Sequence, residues 1–198
     1  MGSLNDAYIA ALLGAFRLYH RQFDVDIDTM PVALPISLRR GDDPMGGNRF
    51  AGARFDGPVG EADPTERIQL VRQFVLNARA EPAIDALDRL AAALIRLPTP
   101  VTIRLAQAMG AVDLQASNVP GVAHPVYLAG ARITHMYPFG PLPGCAAMVG
   151  LVSHGETCCI GVNIDSGAID RAAFADCLAA GFDEVLALGR PKRRPRRR

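Results

Sequence analysis

The residues in this sequence that could carry catalytic chemistry are dispersed rather than paired. Each of its four histidines lacks an acidic or cysteine neighbour at metal-ligand spacing: His20, His124, His135 and His154. We expect His135 to be a structural histidine within a strand and His154 to be exposed at a hairpin tip. Neither a glycine-rich phosphate loop nor a serine elbow is present. Residue types and spacing alone therefore predict no active site.

The four cysteines are equally uninformative about metal or redox chemistry. Their positions fit neither a metal-binding spacing nor a disulfide framework: Cys145, Cys158, Cys159 and Cys177. Two adjacent cysteines in a strand would point to opposite faces, which makes Cys158 and Cys159 a poor pair of ligands. We expect all four to be reduced and buried in a cytoplasmic protein.

The formal net charge of +1 conceals a strongly basic C-terminus. Residues 190–198 hold seven of the 21 basic residues, so the remainder carries a net charge of −6. We predict one folded lobe over residues 1–189 and a disordered basic tail over 190–198. The tail could attract anionic lipid headgroups at about 1 kcal/mol per basic residue, or could simply be solvated. Nucleic-acid binding is not expected, because the body offers no basic face with interleaved aromatic residues.

Apolar spacing predicts helices near both ends of the chain and in its middle. Asn5 is expected to cap the first helix, and Gly14 within it would permit close packing against a neighbour. Asp63 should cap the second helix. The predicted helices span residues 6–22, 64–80, 101–109 and 170–188, with one more following Pro82. No apolar stretch is long enough to cross a bilayer, and no secretory signal is recognised at the start.

Between the helices, β-rich segments alternate with glycine and proline. The predicted strands span residues 31–37, 49–55, 111–117, 126–128, 131–137, 146–154 and 157–165. Prolines should confine the first strand to an edge or end of the sheet. Two glycine-containing turns, over 117–121 and 137–144, could shape a pocket or serve only as connectors. The predicted class is a mixed-sheet α/β lobe built as a layered sandwich.

Several segments, in this order, resemble the C-terminal domain of the bacterial wax ester synthase/diacylglycerol acyltransferase family. The resemblance covers about residues 4–188. It is carried by Asn5-Asp6, Pro35-Ile36-Ser37-Leu38-Arg39, Gly47-Asn48, Ser117-Asn118-Val119-Pro120-Gly121, Pro125-Val126-Tyr127-Leu128-Ala129-Gly130-Ala131, Tyr137-Pro138-Phe139-Gly140-Pro141 and Gly161-Val162-Asn163-Ile164-Asp165.

This resemblance implies one half of the two-lobe fold of chloramphenicol-acetyltransferase-like, coenzyme-A-dependent acyltransferases. Such enzymes transfer an acyl group from acyl-CoA, a substrate rather than a cofactor, to diacylglycerol or a long-chain alcohol. The resemblance places Asn5 and Asp6 near the channel and the catalytic histidine, although helix capping would explain both residues equally well. The other channel residues that it implies are Ser117, Asn118, Pro120, Gly121, Tyr137, Pro138 and Gly140.

The sequence departs from the family pattern at the catalytic base. The family uses a His-His-x-x-x-Asp-Gly motif in its N-terminal lobe, and this sequence has no paired histidines. Loss of a general base typically costs about 10²–10⁴ in rate, so we expect no appreciable acyl transfer by this chain alone. The expected partner is a separate histidine-bearing lobe. The alternatives are a non-catalytic lipid- or acyl-CoA-binding module and an inactive remnant. We expect a cytoplasmic location, free or peripheral to the inner membrane face or to lipid droplets.

Overall fold

A computed structural model describes residues 2–37, 50–80, 98–101, 104, 112–142 and 144–189. The described chain divides into two compact units. The first comprises residues up to Thr29, Gly57–Val75 and the chain from Asp170 onward, and it contains the first and last helices and most of the helix that begins at Pro64. The second comprises Met30–Asp56 and Leu76–Ile169, and it contains the strands. The protein thus belongs to the mixed α/β class, as the sequence predicts.

The first helix, α1, spans Leu4–Arg21 and begins two residues earlier than the sequence predicts. Its N-cap is Ser3 rather than Asn5, which corrects the expected cap. The Ser3 hydroxyl accepts from the Asp6 N–H, and the Asp6 carboxylate accepts from the Ser3 N–H at 2.7 Å. This capping box satisfies two N–H groups at once, whereas Asn5 lies inside the first turn.

The last helix, α3, spans Arg171–Gly189 and packs against α1 within the first unit. The expected apolar stripe of α1 is buried along its whole length: Ile9, Leu12, Leu13 and Phe16. Phe16 and Phe174 lie 4.8 Å apart between ring centroids. Gly181 sits directly on the α1 backbone, where a Cβ would come within 2.5 Å of the Ala11 carbonyl oxygen. Leu186 of α3 is exposed.

The second helix, α2, spans Pro64–Ala80, as the sequence predicts. The Thr65 N–H donates to the Asp63 carboxylate at 2.7 Å, which supports the expected role of Asp63 at the helix start. Arg67 on this helix is completely buried and lies against Gly14 of α1. Gly14 therefore does permit close packing, and the group that it admits is a guanidinium.

The second unit contains a five-stranded mixed sheet in the order β2-β1-β3-β6-β7, and a separate two-stranded sheet of β4 and β5. The strands are β1 Met30–Ser37, β2 Phe50–Gly57, β3 Val112–Pro120, β4 Tyr127–Leu128, β5 Ala131–Arg132, β6 Cys145–His154 and β7 Thr157–Ile164. Strands β1, β3 and β6 run parallel to one another, and β7 is antiparallel to β6. One face of β3 and β6 is buried: Val112, Leu114, Ala116, Cys145, Ala147 and Val149.

Three strand predictions are wrong in instructive ways. Strand β1 lies between β2 and β3 rather than at an edge, and it pairs with β3 through Val32 and Ala33, which lie between its two prolines. The strand expected over 131–137 ends at Arg132, and the chain then runs without regular pairing. The turn expected over 117–121 is mostly strand, because β3 stays paired with β6 as far as Pro120.

Several sequence predictions fall outside the described residues. These are the helix following Pro82, most of the helix over 101–109, the tail over 190–198, and the motif residues Leu38, Arg39, Gly47 and Asn48. Among the described helices, none combines the length and apolar character needed to span a membrane.

Candidate functional site

The segment from Tyr137 to Gly140 crosses the face of β6 and β7. Gly150 and Gly161 oppose each other across these strands, and Pro138 lies on both of them. A side chain at Gly161 would overlap the Pro138 carbonyl oxygen, so only glycine allows the chain to cross here. The Asn163 amide donates a hydrogen bond to the Gly140 carbonyl, which holds the segment at its far end.

Strand β3 brings a second group of predicted site residues to β6. Ser117 is in register with Gly150, so Ser117 shares the sheet face on which Pro138 lies. At the end of β3, Gly121 passes so close to Ser153 that a side chain would overlap the Ser153 carbonyl. Four predicted residues, Ser117, Gly121, Pro138 and Gly140, are therefore positioned by β6 and its neighbour β7.

The other predicted residues of this unit do not join that group. Asn118 follows Ser117 in a paired strand and therefore projects from the opposite face of the sheet. Pro120 is exposed at the end of β3. Tyr137 is also exposed and stacks on His135, with ring centroids 6.2 Å apart and planes inclined by 10°. His135 is thus neither within a strand nor buried, contrary to the sequence prediction.

Asn5 and Asp6 lie in the first turn of α1, in the other unit. Asp6 is almost completely buried. Its Oδ2 atom accepts from the Ser3 N–H and lies 3.5 Å from Nη1 of Arg72. These contacts give Asp6 a visible structural role, so its placement beside a catalytic channel stays a prediction.

His154 is the largest departure from the sequence prediction for this site. It is only 8% exposed, although it ends β6 at the hairpin turn formed by Gly155 and Glu156. Its Nδ1 lies 2.9 Å from the Val122 carbonyl oxygen, and its Nε2 lies 3.1 Å from that of Ile133. A general base must turn a ring nitrogen towards its substrate, and both nitrogens of His154 face the backbone. Both ring nitrogens of His154 are therefore directed at backbone carbonyl groups within this unit.

Apolar side chains are exposed along the chain between β3 and β6. The exposed fractions are 64% for Tyr127, 71% for Leu128, 58% for Tyr137 and 82% for Phe139. Exposed apolar residues concentrated in one segment typically mark a surface that another protein or a lipid covers. We refer to residues 127–142 as the exposed segment.

The four described cysteines are free, and burial keeps two of them in the thiol form. Burial raises the pKa of the Cys145 thiol, and burial together with the nearby Asp176 carboxylate raises that of Cys177. Both thiols consequently stay protonated at neutral pH. Cys158 is exposed, which corrects the expectation that all four cysteines are buried. Within the described residues, no group of three histidine, cysteine or acidic side chains could hold a metal ion.

Comparison with known proteins establishes the family. The sequence profile of the WS/DGAT C-terminal domain matches residues 46–185. This chain belongs to the WS/DGAT C-terminal domain family. A putative diacylglycerol O-acyltransferase of Mycobacterium tuberculosis strain H37Rv is 45% identical over 188 residues, which cover 94% of this chain and 38% of that protein. A probable diacylglycerol O-acyltransferase of the same strain, tgs1, is 28% identical over 196 residues, covering 93% of this chain and 41% of that protein.

Solved structures place this WS/DGAT C-terminal domain in the corresponding fold. The wax ester synthase/diacylglycerol acyltransferase of Marinobacter aquaeolei VT8 superposes with a TM-score of 0.64 at 21% identity, over 96% of this chain and 44% of that one. The starter condensation domain of rhizomide synthetase gives a TM-score of 0.56 at 13% identity, over 93% of this chain and 42% of that domain. The chain thus spans well under half the length of these relatives, as the resemblance to one lobe predicts.

Proposed function

We propose that this chain forms the C-terminal half of an acyl-CoA-dependent O-acyltransferase that works with a separate histidine-bearing lobe. The acceptor would be diacylglycerol, giving triacylglycerol, or a long-chain alcohol, giving a wax ester. Acyl-CoA is the acyl donor, and no cofactor is proposed. The observation that carries the proposal is the exposed segment of 127–142 in a member of the WS/DGAT C-terminal domain family.

The reaction assigns different tasks to the two halves. In the histidine-bearing lobe, a histidine would remove the proton of the acceptor hydroxyl as its oxygen attacks the thioester carbonyl. The carbon–sulfur bond then breaks, and the CoA thiolate leaves and takes up a proton. The sequence of this chain has no adjacent pair of histidines, and both ring nitrogens of His154 face backbone carbonyl groups. The contribution proposed for this chain is therefore to form a wall of the acyl or acceptor channel.

The proposed wall comprises two sets of residues. Ser117, Gly121, Pro138 and Gly140 are fixed relative to one another by close contact with β6 and β7. The second set, Asn5, Asp6, Asn118, Pro120 and Tyr137, is proposed on the family resemblance alone. A rigid backbone cradle suits the task of orienting an acyl chain, because well-oriented reactants can gain about 7–11 kcal/mol of the barrier from positioning alone.

Reconstitution tests this proposal directly. Purified chain would be assayed for transfer of labelled palmitoyl groups from palmitoyl-CoA to dioleoylglycerol and to hexadecanol. Each assay would be run alone and with a separately expressed N-terminal lobe from the 45% identical relative. Parallel reactions with phosphatidylglycerol vesicles would test the proposed association of the basic tail with anionic lipid.

We expect product only in the mixture, and none when alanine replaces the second histidine of the added lobe. The better acceptor would identify the enzyme as a diacylglycerol acyltransferase or a wax ester synthase. Turnover by this chain alone would refute the assignment of the base to another lobe. Binding of palmitoyl-CoA without turnover in any mixture would favour a lipid-binding module instead.

A further inference from the structure

Residues 122–133, which we term the docking hairpin, form a small closed element between β3 and β6. Strands β4 and β5 pair in it through Tyr127 with Arg132 and Leu128 with Ala131. The turn residues Ala129 and Gly130 have φ angles of 49° and 81°, which is the left-handed pair that a tight two-residue hairpin turn requires. The Ile133 N–H donates to the Val126 carbonyl at 2.9 Å, and this bond closes the loop.

One side chain reaches both ends of the docking hairpin. The carbonyl groups that face the two ring nitrogens of His154 belong to Val122, the first residue of the hairpin, and Ile133, the last. The Gly155 N–H adds a third contact, 3.2 Å from the Val122 carbonyl oxygen. His154 ends the long strand β6, so this one side chain links the base of the hairpin to the sheet. A neutral ring donates to one of the two carbonyl groups, and a protonated ring donates to both.

A cavity borders the base of the docking hairpin. This cavity of about 480 Å³ lies between the hairpin base and the β6–β7 turn, and its walls are mixed polar and apolar. The charged and titratable groups on these walls are His124, Arg132, His135, His154 and Glu156. A two-stranded hairpin is marginally stable by itself in water, so the contacts of His154 bear directly on how well this one is ordered.

We propose that the docking hairpin inserts Tyr127 and Leu128 into the histidine-bearing lobe, and that His154 is the positioning residue that holds it ready to do so. This inference rests on the proposed function. We identify the partner as this lobe because more than half of the length of each relative lies outside the part that matches this chain. A second reason is that Tyr127 and Leu128, the apolar residues near the hairpin turn, are both more than half exposed in this chain. Holding a contact element in its bound shape lowers the ordering cost of association.

The test measures association and turnover separately. Activity of the reconstituted mixture would be followed as the added lobe is titrated, and binding would be measured independently by calorimetry. For His154→Ala we expect the half-saturating lobe concentration to rise about tenfold, with the maximal rate unchanged at saturation. Hydrogen exchange of the Ile133 amide should accelerate, while the thermal midpoint reports whether the fold survives.

Variants at the exposed residues Tyr127 and Leu128 test association without removing a contact on which folding depends. Tyr127→Ser and Leu128→Ser remove exposed groups, so we expect unchanged stability and at least tenfold weaker association for the pair combined. The matched control is Leu186→Ser on α3, which removes a leucine that is 58% exposed outside the hairpin. This control should associate like the unmodified chain.

The outcomes separate this inference from the proposed function. If the mixture is active and neither His154→Ala nor the tip variants change the half-saturating concentration, the docking hairpin is refuted and the acyltransferase proposal stands. If the lobes bind in a hairpin-dependent way without turnover, the docking inference stands and the acyltransferase proposal falls. A loss of maximal rate with unchanged association would refute the positioning role of His154.

Discussion

Arg67 offers the sharpest test of how the helical unit is held together. Its side chain is fully buried. Three hydrogen bonds, each 2.8 Å long, join it to the Ala10 carbonyl, the Glu61 carbonyl and the Glu184 carboxylate. The three helices are thus linked through one guanidinium, which lies in the space left by Gly14. Replacement of Arg67 by methionine keeps most of the apolar stem and removes all three donors.

The expected cost follows from what remains after the substitution. Removing one partner of a buried ion pair typically costs about 3–5 kcal/mol. The Glu184 side chain is 30% exposed, so water can solvate its carboxylate and the lower end of that range applies. We therefore expect Arg67→Met to lower the free energy of unfolding by about 3 kcal/mol, which for this size corresponds to a fall of roughly 6–12 °C in Tm.

Urea denaturation and thermal unfolding, followed by circular dichroism, would measure this change. The matched control is Arg171→Met, because Arg171 is an exposed arginine at the start of α3. A buried ion pair can sometimes be replaced by apolar groups without loss of stability. Substitution by methionine is therefore a stringent test of whether the three hydrogen bonds of Arg67 stabilise the fold. A change below about 1 kcal/mol, or a stabilised variant, would refute the reasoning that these three contacts tie the helices together.

Two further predictions concern the sheet. Gly161→Ala should destabilise the fold by about 1–3 kcal/mol, because the new methyl group meets the Pro138 backbone, whereas Gly52→Ala in β2 meets nothing within 4 Å and serves as the control in urea denaturation. Equal effects of the two substitutions would contradict the close crossing of the chain at Gly161. Burial raises the pKa of the Cys145 thiol above its ordinary value of 9.0, so its contribution to stability is complete below pH 9 and is lost as the pH rises further. Stability measured from pH 7 to pH 10.5 should therefore fall less steeply in Cys145→Ala than in the unmodified chain, and identical slopes would exclude this contribution.

The helices described here could be predicted well from local patterns. Apolar residues at spacings of three and four located α1 and α3, and the Asp63-Pro64 pair located the start of α2. The error at the start of α1 arose because Ser3 and Asn5 are both good caps. Ser3 prevails since its spacing to Asp6 completes a capping box, which Asn5 could not form.

The strand order and the path of the chain over the sheet could not be predicted in the same way. Proline in β1 suggested an edge, because local sequence does not show which residues of a strand are paired. Exposure of His154 was expected from its position at a hairpin turn. His154 is buried because Val122 and Ile133, which are distant from it in sequence, approach it in space.

Sequence by itself determined the family, the mixed α/β class and the absence of paired histidines, since each depends on residue identity and order. The sequence also shows glycine at positions 121, 150 and 161, but it does not show why glycine is needed there. Only the tertiary structure decided that these glycines lie under other segments of the chain and that His154 fastens the docking hairpin. Only the structure, likewise, showed that Arg67 joins three helices. Such contacts join residues far apart along the chain, and packing rather than local propensity fixes them.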